Sequence, residues 1–503
     1  MRKFRVKYDW LLFGLLMVFL FLALLQKWTG LFPIRPLGGV IEPTPKPELT
    51  LENYRNMQYQ RQLEAYISEN FGLREPVIRT YNQYLWTAYH KTYCSYIEPG
   101  KKGWLYYKSA VSDYYGKELL GHFKTTEDAI TRAETELANM NKLRQVLKWY
   151  GIEFLAFIAP DKAHVYPEYL PRHDADTTTP NMADYFDRRM TETGFPHINM
   201  TSWFMAMRDT VPFPLFPKAD SHWEYTAIYG YDSLFRFMNT LGGPQFPNVR
   251  IGPPETYISN KVIGDESVLN LLFRVRGNNV KYKSEITVEA DASQRKPRVL
   301  FVGDSFIWSI VNLPVRELLD EMEIWYYNNS AVIGFDKTKV DLKDINRLRH
   351  ILKADYVVFY ASGHQWWNAT FDFARKTLKL FSEATEAEIE KSMKINEIER
   401  NKNWSTALKI YASRQGLPLE QVLEQEADNV LENKTLFRED IMTDTATLIQ
   451  IKKEEIRRQW QSDLNQMRML EEKAQQRKIS LEEMIEIDIN WVIEKQIEKG
   501  ELY

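Results

Sequence analysis

The sequence predicts an α/β fold, a parallel sheet flanked by helices, with an N-terminal membrane anchor ahead of it and an α-helical appendage behind it. Three observations carry this reading. The runs Ile152–Ala159, apolar apart from Glu153, Val299–Val302 and Tyr356–Tyr360 show no alternation, which is the pattern of strands buried on both faces. Helical stretches separate them, giving the βαβ rhythm of a parallel sheet. After Phe381 glycine and proline nearly vanish and charged residues at helical spacing take over.

In chain order, Arg2, Lys3, Arg5 and Lys7 precede the uncharged run Trp10–Leu25, which reads as a membrane anchor within residues 1–28. The basic leader is expected in the cytoplasm, leaving the rest of the chain extracytoplasmic. Leu22–Gln26 lacks the small-residue pair of a cleavage site, so an uncleaved single span is expected. Residues 29–50 hold Pro33, Pro36, Pro43, Pro45 and Pro47, an extended spacer. Folding is expected over 51–380. Thr126–Tyr150 carries a helical stripe through Leu137, Met140, Leu143 and Leu147, opened at Thr126 and closed by Gly151. Glu224–Leu241 is a second helix, and Ile307–Leu319 a third, kinked or restarted at Pro314. Val280–Pro297 is polar and reads as a loop or hairpin; Glu323–Tyr327 is a further strand. Residues 381–503 repeat: an offset of 62 aligns Leu408 with Leu470, Ala412 with Ala474, Leu423 with Ile485 and Leu431 with Ile493. A helical bundle or a partner-docking arm follows from that duplication.

Bulk composition narrows the function classes. With 44% hydrophobic and 14% aromatic residues the chain can bury a large core, and a net charge of -3 gives no global field for nucleic acid. Cys94 is the sole cysteine, so no intramolecular disulfide forms. No HExxH or CxxC pattern supports a metal, and no cofactor is called for.

The chemistry gathers at Gly303-Asp304-Ser305-Phe306. A serine just past the carboxyl end of a buried strand sits where open α/β sheets place ligands, and Ser305 is the candidate nucleophile. Upstream, Asp220-Ser221-His222-Trp223 sets an acid and an imidazole two residues apart, able to orient and act as the base. Pro160-Asp161-Lys162 likewise follows a buried strand, so Asp161, Lys162 and His164 are candidates to line the same crevice. Trp223, and His364 with Trp366 beyond the strand Tyr356–Tyr360, are further candidates for holding a sugar, with edge packing as the alternative.

In their order, Asn70–Arg74 (NFGLR), Gly100–Tyr106 (GKKGWLY), Pro160–Pro171, Asp220–Trp223 and Gly303–Phe306 resemble the SGNH-hydrolase-like proteins of the alginate O-acetyltransferase group, over roughly Glu52 to Phe373. The resemblance implies acetyl transfer to hydroxyls of an extracytoplasmic polysaccharide acceptor, with a separate multi-pass membrane O-acyltransferase as supplier. It also implies an oxyanion site made by the Ser305 amide and an asparagine, Asn328 or Asn329. An acetyl-polysaccharide esterase and a non-catalytic binding or assembly module are the alternatives.

Overall fold

A computed structural model describes residues 2–39, 43–172, 179–275, 277–289, 295–335, 338–432 and 439–499. The chain divides into two compact units, Met1–Lys339 with Tyr356–Ala374, and Val340–Asp355 with Arg375–Tyr503.

The central sheet of the first unit contains β1 (Glu153–Ala159), β2 (His197–Asn199), β3 (Arg298–Gly303), β4 (Glu321–Tyr326), β5 (Ser330–Ile333) and β6 (Tyr356–Ser362), which lie side by side in the order β5-β4-β3-β6-β1-β2. β4, β3, β6, β1 and β2 run parallel, and β5 returns antiparallel to β4. Every residue of β1, β3 and β6 is buried, because helices cover both faces and no row of side chains meets water. Val358 pairs with Phe301 and Leu155, so β6 joins the two strands whose ends carry the chemistry. One face packs against Trp223, Tyr231, Leu234 and Met238 of the Trp223–Met238 segment.

Several local features differ from expectation, each for a stated reason. The helix over Thr126–Trp149 is capped one residue earlier, by the Thr125 hydroxyl accepting from the Asp128 amide. The second helix is shorter, Ala227–Met238. The single helix expected over Ile307–Leu319 is a 3-10 helix, Ser305–Asn312, followed by the short α-helix Val315–Leu318, because Pro314 cannot continue the first. Val280–Lys283 and Ile286–Glu289 are strands, yet they pair outward, with Glu255–Ile258 and Asn248–Ile251, rather than with each other. Of that segment, residues 290–294 lie outside the described residues. Asn328 and Asn329 follow the end of β4 and lie in the turn into β5, with Tyr327 and Asn328 in the left-handed region.

At the amino end, Tyr8–Thr29 is one helix long and apolar enough to cross a membrane. In the second unit, the helices Lys402–Gln415 and Leu419–Leu431 recur at the same offset of 62 as Leu464–Arg477 and Leu481–Lys499. Each copy keeps its own apolar cluster: Leu408, Ala412 and Leu423 in one, Leu470, Ala474 and Ile485 in the other. Ser480 and Glu483 form reciprocal cap bonds, and Pro418 precedes the first helical residue of its copy.

Candidate active site

Ser305 begins the 3-10 helix at the carboxyl end of β3, and the turn that presents it is tightly constrained. A Cβ on Gly303 would lie 1.8 Å from the Tyr360 carbonyl oxygen of β6, so only glycine lets the two strands approach. Asp304 then locks the turn. One carboxylate oxygen accepts from the Phe306 amide at 3.0 Å, and the other accepts from the Ser362 amide and hydroxyl at 2.8 and 2.6 Å. Asp304 is thus a tie between β3 and β6, and Ser305 is left half-buried and facing out of the turn.

The structure brings Ser305, His222 and Asp220 together although 83 residues separate the first two. Ser305 Oγ lies 2.8 Å from His222 Nε2, and His222 Nδ1 lies 3.0 Å from Asp220 Oδ1. The same Asp220 oxygen accepts from the His222 amide at 2.9 Å, which fixes carboxylate and ring as one unit. The i, i+2 spacing works here through a loop closed by that amide bond rather than through an extended strand. Trp223 anchors the loop from behind: it is fully buried, its Nε1 donates to Ser309 Oγ at 2.9 Å, and its ring occupies the space opened by Gly230.

Two supports come from segments whose sequence offered no such signal. Asp265, in the short helix Gly264–Val268, donates its amide to Asp220 Oδ2 at 3.3 Å and accepts from the Ser221 amide at 2.7 Å. Tyr107, in the aromatic stretch after Gly103, brings its hydroxyl to 3.2 Å from His222 Nε2. Its ring meets His222 edge-on and lies against His364 as well. Only the alternation of that short strand, which points Tyr107 opposite to the buried Tyr106, could have singled it out.

Electrostatics follow from these contacts. Burial alone would lower the basicity of His222, but the Asp220 carboxylate outweighs it and raises the imidazole above the ordinary histidine value. Burial pushes the Asp220 carboxyl up, and its bonds to His222 more than reverse this, leaving it below the usual carboxylate range. Asp265 is pushed up to about 6, by burial first and then by the Asp220 charge. Burial also drives the Tyr107 phenol far upward, so it remains a proton donor. Donor atoms of Asp220, His222 and Asp265 fall within 4.8 Å of one another. Asp220 Oδ1 accepts from the His222 amide and ring, and Asp265 Oδ2 from the Ser221 amide, bonds that orient the cluster.

The remaining candidates divide. Asp161 and His364 form a second buried acid–imidazole pair, with Nδ1 at 3.0 Å from Oδ2 and the His364 amide on the same oxygen at 3.2 Å. Burial raises the Asp161 carboxyl, but the His364 bond wins and brings it to about 2. His164 is half-buried, against Tyr114, and 3.4 Å from the Asn181 amide. Lys162 does not line a crevice. Its ammonium donates to the carbonyls of Leu105, Pro217, Lys218 and Asp220 at 2.8 to 3.0 Å and lies over the rings of Trp104 and Tyr106, which makes it an internal strut beneath the Asp220 loop. Burial draws that ammonium down to about 7.

Trp223 and Trp366 do not offer a face to a sugar, since both are fully buried; Trp366 packs on Phe186 and Phe359. Asn328 is not aimed at Ser305, because its amide is buried and donates to the Phe371 carbonyl at 2.9 Å. Asn329 is exposed in the β4–β5 turn. The Ser305 amide, at the first position of its helix where no intrahelical acceptor exists, is the donor that the local fold supplies.

Comparison with known proteins adds the following. Residues 97–247 match the family model of the SGNH hydrolase-like domain, acetyltransferase AlgX, a span that holds Tyr107, Lys162, Asp220 and His222 and ends before Ser305. No curated protein sequence matches the chain. The O-acetyltransferase domain of Pseudomonas putida AlgJ is 15% identical, with a TM-score of 0.34 over 54% of this chain and 92% of that one. Bacillus cereus PatB1 is 14% identical, with a TM-score of 0.33 over 55% and 99%. Pseudomonas aeruginosa AlgX is 12% identical, with a TM-score of 0.33 over 56% and 67%. Over residues 97–247, therefore, the chain is similar to the SGNH hydrolase-like domain of the AlgX acetyltransferase family.

Proposed function

We propose that this protein is an O-acetyltransferase that moves acetyl groups onto hydroxyls of an extracytoplasmic polysaccharide through an acetyl ester on Ser305. The hydrogen-bond chain from Ser305 through His222 to Asp220 is the observation that carries the reading. In the first half-reaction Ser305 Oγ attacks the carbonyl carbon of the donor while His222 Nε2 takes the hydroxyl proton. The new Oγ–C bond forms, the donor's acyl bond breaks, and the imidazolium returns its proton to the leaving group. In the second half, a sugar hydroxyl gives its proton to Nε2 and attacks the acetyl ester, and Ser305 leaves as the hydroxyl. Asp220 orients the ring and stabilises its charged form in both halves. The Ser305 amide stabilises the oxyanion.

A multi-pass membrane O-acyltransferase is the proposed acetyl supplier, and the helix Tyr8–Thr29 the anchor that keeps this chain beside it in the inner membrane, with the catalytic unit on the periplasmic side. The test uses the full chain with a fluorogenic acetyl ester and a polysaccharide-derived oligosaccharide. Acetyl recovered on the sugar, with a mass increment of one acetyl group trapped on Ser305 and both lost in Ser305→Ala, is the expected result. Acetyl delivered only to water would make the protein an esterase, and unchanged turnover by Ser305→Ala would end the catalytic reading.

A further inference from the structure

A cavity lies in the first unit, where the spacer after the apolar helix docks onto the segment Val262–Arg274. It encloses about 140 Å³ and is lined by Arg35, Arg79 and Arg274, with Gly38, Glu266 and Phe273. The spacer is fixed there by specific contacts. The Gly38 amide donates to Asn270 Oδ1 at 2.7 Å, and a Cβ on Gly38 would lie 2.4 Å from the Ser267 carbonyl oxygen. Three guanidinium groups face one carboxylate. Glu266 is already committed to Arg274, at 2.9 Å, and to the Asn278 amide at 2.6 Å. Arg35 and Arg79 donate to uncharged carbonyls, both to Leu271 and Arg79 also to Pro36, and neither has an ion-pair partner among the described residues. Arg79 is buried, and its Nε has no hydrogen-bond partner. Burial first, and then the charge of Arg35, lower the pKa of the Arg79 guanidinium, and the Glu75 carboxylate offsets them only in part.

We propose that this cavity binds a phosphate group between Arg35 and Arg79, either as the headgroup of a lipid or as soluble phosphate. Two guanidinium forks converging on a space of this size match the several acceptor oxygens of a phosphate better than any single-point anion. Carbonyls carry no charge to neutralise the buried Arg79 beside the exposed Arg35; a phosphate would neutralise both and take up the orphaned Nε–H. The position suits a headgroup, since Arg35 follows by six residues the end of a helix long and apolar enough to cross a membrane, and Phe273 stands exposed at the rim. The site is separate from Ser305, His222 and Asp220, and it stands whether or not the chain transfers acetyl groups.

The test uses the purified full chain in a neutral, phosphate-free detergent. Inorganic phosphate is titrated calorimetrically, and native mass spectrometry follows retention of phosphatidylglycerol against diacylglycerol, which has no phosphate. Binding of phosphate, or selective retention of phosphatidylglycerol, that weakens at least tenfold in Arg35→Gln supports the site. Arg35 is exposed, so that variant keeps the fold; Arg79→Gln is the second variant, accepted only where its thermal unfolding midpoint matches the wild type. Retention of the lipid without a response to free phosphate identifies a headgroup, and the reverse identifies a soluble ligand. Failure of the wild type to bind either, equal retention of both lipids, or wild-type binding by Arg35→Gln would overturn the proposal.

Discussion

Gly264 supplies the sharpest test of how Asp220 is held beside His222. Its φ is +59°, and a Cβ added there would lie 1.4 Å from Asp220 Oδ2. Two costs follow for Gly264→Ala. Left-handed backbone costs an L-residue about 1–2 kcal/mol. Ordinary contact between heavy atoms is about 3.5 Å, so carboxylate and loop must part by about 2 Å. Asp220 cannot retreat that far and keep its 3.0 Å bond to His222 Nδ1, because the same oxygen is also tied to the His222 amide. Misplacing a reacting group by about 1 Å costs on the order of 100-fold, so kcat should fall by at least about that factor. Turnover of a fluorogenic acetyl ester by the full chain reads the first effect, and thermal unfolding reads the backbone cost. Gly194→Ala is the control: it closes the helix Met182–Thr193 at φ +69° with nothing within 4 Å of its added Cβ. It should lose about 1 kcal/mol of stability and keep full turnover. Wild-type turnover by Gly264→Ala, or an equal loss in Gly194→Ala, would refute the argument.

Three further outcomes are expected. His222 must be neutral to accept the serine proton and its pKa is raised, so kcat/KM should climb with pH through a value above the ordinary histidine range; Asp220→Asn removes the charge that holds the proton and should move that acid limb to lower pH, as a pH–rate profile would show. Lys162→Met takes the ammonium from four carbonyls, of which Lys218 keeps its bond from the Leu105 amide, and should destabilise the first unit by about 3–5 kcal/mol, an effect that an unchanged urea midpoint would contradict. Tyr107→Phe removes only the hydroxyl 3.2 Å from His222 Nε2; about a tenfold loss of kcat with an unaltered melting temperature is expected, and full activity would remove Tyr107 from the site.

Legibility in the sequence followed the range of the interaction. Apolar runs without alternation announced β1, β3 and β6, because burial on both faces demands such residues at every position. Ser305 after Gly303, and the Asp220–His222 spacing, were readable because local backbone geometry forces those residue types. Errors arose where a side chain's fate depends on distant segments. Lys162 looked like an active-site cation and is spent on the carbonyls of Leu105, Pro217, Lys218 and Asp220. Trp223 and Trp366 looked like sugar platforms and are packed inside. Asp265 carried no signal, since its value lies in reaching an aspartate 45 residues away.

By itself the sequence determined the kinds of element, the order in which they come, the reactive residue types and the apolar helix at the amino end, all consequences of local pattern and burial. Only the tertiary structure decided which of the polar residues at the strand ends meet. Hydrogen bonds across 83 residues of chain depend on how the elements pack together, and no local preference encodes that packing.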